Sequence, residues 1–171
     1  WMRFPGTAHR SLLLLGFQQC FILGFLMTAM PSFLHATHCR REELAAAILL
    51  VCAASASALL GWNAAAALFY LGSLGVPVWM AARRIASGEA GPPPEELILV
   101  AAGFATGMGG AIWMAGAAAG YWVEPYPRFG LRLIGFGMIL PVDLGIGGVL
   151  VPTFMAMREP LTIPGLARAH E

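Results

Sequence analysis

The side chains in this sequence that could do chemistry are few, and they lie far apart. His35-Ala36-Thr37-His38-Cys39 puts two imidazoles and a thiol within one helical turn of one another. Imidazole and thiolate suit zinc, copper or haem iron. The segment runs straight into Arg40-Arg41, however, and so reads equally well as an ordinary loop at a water interface. His9 stands alone near the other end of the same apolar run, as a lone ligand or a polar cap on the bundle. His170 belongs to a terminal tail and reads as solvated. Met27 and Met30 are soft enough for copper, although Met more often fills irregular gaps in a core. Cys20 and Cys52 lie in apolar runs, where a thiol behaves as a small hydrophobe, and three irregularly spaced cysteines make no disulfide framework.

Asp143 is the remaining candidate. It lies roughly 16 Å along a helix from Arg132 at 1.5 Å per residue, near mid-bilayer if that run crosses a membrane. An unpaired charge there costs about 2.5–3.5 kcal/mol. Asp143 is therefore expected to face protein, to be protonated, or to pair with Gln18, Gln19, Tyr70 or Trp113. Its role would be to hold the helix in shape or to serve as a proton or ligand site. No second acid at depth extends a relay. There is no C-x-x-C-H haem attachment, P-loop, Gly-x-Ser-x-Gly elbow or HExxH motif, so side-chain catalysis has no visible constellation and the chain is not expected to be an enzyme.

The elements that must hold these residues follow from composition. Of 171 residues, 58% are hydrophobic and 11% charged, against about 25% charged in soluble domains. Such a chain cannot cover a globular surface in water. Net charge is +1 and all ten basic residues are Arg, scattered rather than striped, which excludes a nucleic-acid partner. The Arg-only, Ala-rich composition suggests a bacterial source. The start, Trp1-Met2-Arg3, does not read as a signal peptide.

Five runs are long enough to cross a hydrocarbon core: Ser11 to about Leu34, Leu44 to Trp62, Ala64 to Ala82, Leu97 to Trp122 and Leu131 to Met157. Period-two alternation is absent, and lipid demands internal backbone pairing, so the fold class is an all-α membrane bundle in one domain over residues 1–171. Gly61-Trp62-Asn63 implies a tight antiparallel hairpin, and Pro92-Pro93-Pro94-Glu95-Glu96 a stiff polar excursion ending at a helix start. Pro141 removes a donor and crowds the Gly137 carbonyl, which predicts a kink.

Gly103, Gly107, Gly110, Gly116 and Gly120 form a small-residue stripe in the fourth run. It would pack within this bundle or dock another subunit. Arg40, Arg41, Arg83, Arg84, Arg158 and Arg168 fall on one side and Arg3, Arg10, Arg128 and Arg132 on the other. The positive-inside rule then places the C-terminus in the cytoplasm of a bacterial inner membrane.

Gly16-Phe17, followed after six residues by Gly24-Phe25-Leu26-Met27-Thr28-Ala29-Met30-Pro31, resembles the early-helix signature of NnrS-family membrane proteins, with His9 near that family's preceding histidine. Gly147-Gly148-Val149-Leu150-Val151-Pro152-Thr153-Phe154 is similar to a later Gly-Gly-Arg-x-x-Pro-x-Phe stretch, with Val149 in place of the Arg. The resemblance covers one half of a longer polytopic fold. It implies haem or copper, with His9, His35 and His38 as the tentative ligands, and a link to nitric oxide and denitrification. The residues themselves favour a non-catalytic subunit of a larger respiratory or photosynthetic membrane complex, with lipids and other membrane subunits as partners. The other readings are the haem- and copper-binding protein that the resemblance implies, and a small proton-coupled transporter using Asp143.

Overall fold

A computed structural model of the chain describes residues 6–34, 36–89, 91, 93–121 and 127–155, and all regular structure among them is helical. Five helices are long and apolar enough to cross a membrane: His9–Ser32, Arg41–Leu59, Asn63–Ala86, Leu97–Ala118 and Phe129–Pro152. At 1.5 Å per residue, spans of 19 to 24 residues are about 28 to 36 Å long, matching a hydrocarbon core. Within the most apolar 18 residues of each span, only 28–39% are buried inside the chain. Phe17, Phe21, Leu49, Trp79, Ile98 and Phe136 point outward, an arrangement that water would penalise and lipid accepts.

Spans adjacent in sequence pack side by side: second on third, third on fourth, fourth on fifth. The first span lies against the second and touches the third. Packing supplies what the hydrophobic effect cannot supply in lipid, and small residues set how closely backbones approach. A Cβ on Gly16 would sit 2.8 Å from Ser55 Oγ, so glycine lets the first and second spans close up. A Cβ on Gly103 would meet Met138 O at 2.8 Å, and one on Gly110 would meet Gly130 O at 2.8 Å, so the fourth and fifth spans touch backbone to backbone.

Several boundaries differ from the sequence reading. The third span continues to Ala86, taking Arg83 and Arg84 into the helix. The second span stops at Leu59, because Gly61 turns the chain at φ 77°, a left-handed conformation that suits glycine. The fourth span ends at Ala118 rather than Trp122. Gly120, at φ 83°, and the Tyr121 N–H bonded to Gly116 O at 3.0 Å close it as a Schellman motif. Gly120 is therefore a helix stop and does not belong to the packing stripe.

The first and fifth spans each open with a short α-helical turn followed by a π-helical segment, Leu12–Gln18 in one and Leu133–Met138 in the other. The second segment ends three residues before Pro141. Pro141 has no N–H to offer the Gly137 carbonyl four residues back, and Thr106 Oγ donates to that oxygen from the fourth span. A π segment braced by a neighbouring helix thus lies just ahead of Pro141.

Candidate functional site

The chain's polar chemistry falls into three places: the bundle centre and its two ends. At the centre, Gln19 of the first span is fully buried and donates from Nε2 to Ser73 Oγ of the third at 3.2 Å. Ser73 Oγ donates in turn to Tyr70 O at 2.7 Å, and Tyr70 OH donates to Met138 Sδ of the fifth span at 3.2 Å. These bonds tie three spans together at depth, where a buried polar group without a partner is costly. Gln19 Oε1 is left without a donor.

Asp143 takes no part. It is exposed on the outer face of the fifth span and has no hydrogen-bond or ion-pair partner among the described residues. The pairing expected with Gln18, Gln19, Tyr70 or Trp113 is not made within this chain, and the other two alternatives, a protonated carboxyl or a face covered by protein, concern the carboxyl's state and surroundings outside it. The fifth span buries Met138, Val142, Gly145 and Val149 toward the bundle, and a residue one step beyond Val142 is turned about 100° away from that stripe. Gln19 bonds Ser73, Tyr70 bonds Met138, Gln18 is half-buried in the π segment, and Trp113 stacks edge-on against Phe129 with ring centres 5.2 Å apart.

The end that carries the first-to-second and third-to-fourth connections is ionically closed. Glu43, in the first turn of the second span, accepts from the Arg40 backbone N–H at 2.9 Å. It also accepts from Arg83 at 2.6 Å and from Arg84 at 3.2 Å. Arg84 is 1% exposed, and its guanidinium donates to Thr37 O at 3.0 Å, His38 O at 2.8 Å and Met80 O at 3.2 Å. The Gly91 N–H bonds Leu34 O at 2.8 Å, stitching the two connections together. Sequence reasoning treated Arg83-Arg84 and Glu42-Glu43 as separate charge clusters. Their signal was available, because Glu43 and Arg83 lie at nearly equal distances from the Gly61–Asn63 turn and an antiparallel hairpin must bring them level.

The candidate ligands lie around this clamp. His38 is exposed, and the interaction that fixes its position is made by its backbone carbonyl. Cys39 is half-buried, and its thiol donates to Arg40 O at 3.3 Å. Burial first, then the nearby Glu43 carboxylate, push this thiol above its ordinary pKa, so in the absence of a metal it is protonated at neutral pH. His35 and His170 lie outside the described residues. His9 is exposed at the opposite end of the 24-residue first span, so it and His38 cannot share one ion. Among the described residues, no three His, Cys, Asp or Glu side chains gather into a metal site.

At that opposite end a cleft of about 560 Å³ opens between the first and fifth spans. Arg10 and Arg132 stand at its rim, and Leu14, Gly135 and Phe136 are among the apolar residues lining it. Both arginines are exposed and unpaired with any described residue.

Apolar spans, lipid-facing hydrophobics and buried polar links between helices define a multi-pass α-helical membrane protein. A family model described as NnrS protein matches residues 2–169, nearly the whole chain, and the chain belongs to the NnrS family. Searches of curated proteins and of solved structures gave no match. Of the residues that carried the resemblance, Gly16 serves the close approach to Ser55, and Pro31 is buried near the end of the first span.

Proposed function

We propose that this chain is a membrane protein of nitric-oxide-linked metabolism that works with haem or copper. The observation that carries this reading is the family match over residues 2–169. The described residues do not by themselves fit a complete metal centre. They offer His9 at one end and His38 at the other, with no third ligand beside either. A copper centre of three or four side chains would need ligands beyond these, whereas haem would take one or two axial ligands such as His9 or His38, and no chemical step is assigned to individual residues. The test is an absorbance spectrum and metal analysis of protein purified from membranes of cells grown under nitrosative conditions. A Soret band or stoichiometric copper, lost on His9→Ala or on His35→Ala/His38→Ala, is the expected result. Protein free of iron and copper overturns the reading.

A second reading, a non-catalytic subunit of a larger inner-membrane assembly with a cytoplasmic C-terminus, is favoured by Asp143. A lipid-facing carboxylate near mid-span costs about 2.5–3.5 kcal/mol unless it is protonated or another helix covers it. Beside it, a Cβ at Gly147 would meet nothing within 4 Å, which leaves room for such a helix. Native-gel co-purification with mass spectrometry should recover a partner that Asp143→Leu releases. A chain that runs alone in both forms counts against this reading.

A further inference from the structure

We infer that the cleft between the first and fifth spans is a binding site for an anionic phospholipid, with Arg10 and Arg132 holding the phosphate and the apolar slot below taking an acyl chain. Arg10 is the second residue of the first span and Arg132 the fourth of the fifth, so both guanidiniums sit at the same membrane edge. The described residues at this end include no carboxylate. Glu42, Glu43, Glu89, Glu95 and Glu96 all belong to the other end, and Glu124 lies outside the described residues. Two like charges at the rim of one cleft repel, and an anion between them removes that repulsion. The planar guanidinium fork matches phosphate oxygens two at a time.

The slot has a built floor. Leu13, Leu14, Gly135 and Phe136 all lie in the two π-helical segments, which begin within two residues of Arg10 and Arg132 and face each other across the cleft. π segments are rare, and they are frequent at functional sites. A Cβ on Gly135 would stand 3.8 Å from Leu14 Cδ2, so a side chain fits there, and glycine leaves the space open. A volume of about 560 Å³ falls within the range of small-molecule pockets. A soluble anion would use the arginines and waste the slot. An amphiphile uses both.

The experiment is native mass spectrometry of the whole chain in a zwitterionic detergent, titrated with dioleoyl phosphatidylglycerol or dioleoyl phosphatidylcholine. We expect the anionic lipid to be retained in preference. Arg10→Gln/Arg132→Gln should weaken its binding about ten- to thirtyfold, the scale of two interfacial cations. Gly135→Leu, which keeps both charges and fills the slot, should weaken it comparably. Arg40→Gln/Arg41→Gln, at the other end, should leave it unchanged. Equal retention of the two lipids overturns the proposal, as does Gly135→Leu protein that binds like the parent. Displacement of phosphatidylglycerol by millimolar inorganic phosphate also overturns it, since that marks a headgroup-only anion site. The probe contains no iron or copper, so its failure leaves the metal reading untouched.

Discussion

The two ends of this bundle spend their arginines in opposite ways. At one end Arg83 and Arg84 converge on Glu43, and Arg84 is sealed from solvent against three backbone carbonyls. At the other, Arg10 and Arg132 rim an open cleft with no described partner. The difference separates structural charge from available charge. A buried cation that satisfies loop carbonyls cannot be removed without leaving them bare, whereas an exposed one costs the fold little. Removing one member of a buried ion pair typically costs about 3–5 kcal/mol. Arg84→Ala should therefore lower the thermal unfolding midpoint in detergent by many degrees. Arg132→Ala should stay within about 0.5 kcal/mol of the parent, as surface substitutions usually do. Equal losses would erase the distinction between the ends.

The open end is held instead by backbone contact. Gly110 and Gly130 meet so closely that a Cβ on either would press on the other's carbonyl oxygen, at 2.8 and 2.7 Å. Backbone cannot step aside as a flexible side chain can. Gly110→Ala should cost about 1–3 kcal/mol, the usual range for overpacking, measured by the same melting assay. Nearer mid-bilayer, Thr106→Val removes the hydroxyl that reaches Gly137 O beside the π segment and Gly103 O at 2.8 Å. A loss of about 1 kcal/mol is expected, one ordinary hydrogen bond. If Thr106→Val proves as severe as Arg84→Ala, the π segment rather than the clamp is the keystone.

How much of this was legible depends on the signal each feature leaves. The five spans were plain because a run of about 20 apolar residues has no soluble alternative. Their ends were less so. Arg83 and Arg84 look like loop charges until Glu43 is placed level with them across the hairpin, and only then does the helix reach Ala86. The outward direction of Asp143 was illegible for a reason particular to membranes. Leu140 and Leu144, on its exposed face, are as apolar as Val142 and Val149 on the buried one, so hydropathy cannot tell lipid from protein. The glycines tell them apart better. Gly103, Gly107 and Gly110 line the contact with the fifth span. Gly16 and Gly137 carry no pattern announcing a π segment nearby. Nor could spacing decide the metal question, since His35 and His38 are near in sequence while the loop's geometry is set by Arg84 reaching its carbonyls.

The smallest effect expected is kinetic, and it probes the closed end from inside. Cys39 sits beside Glu43, and burial followed by that carboxylate raises its thiol pKa. Only the thiolate attacks an alkylating reagent, so the rate follows the deprotonated fraction. In a Cys20→Ala/Cys52→Ala background, maleimide labelling of Cys39 at pH 7 should be slower than that of a free thiol, and should keep rising above the pH at which the free thiol levels off. Glu43→Gln removes the like charge while keeping the side chain's size. It should shift the profile toward lower pH, the sign required when a neighbouring anion is lost. A profile that matches the free thiol in both proteins would mean that the clamp is open in solution, and would bring the two ends closer in character than their geometry indicates.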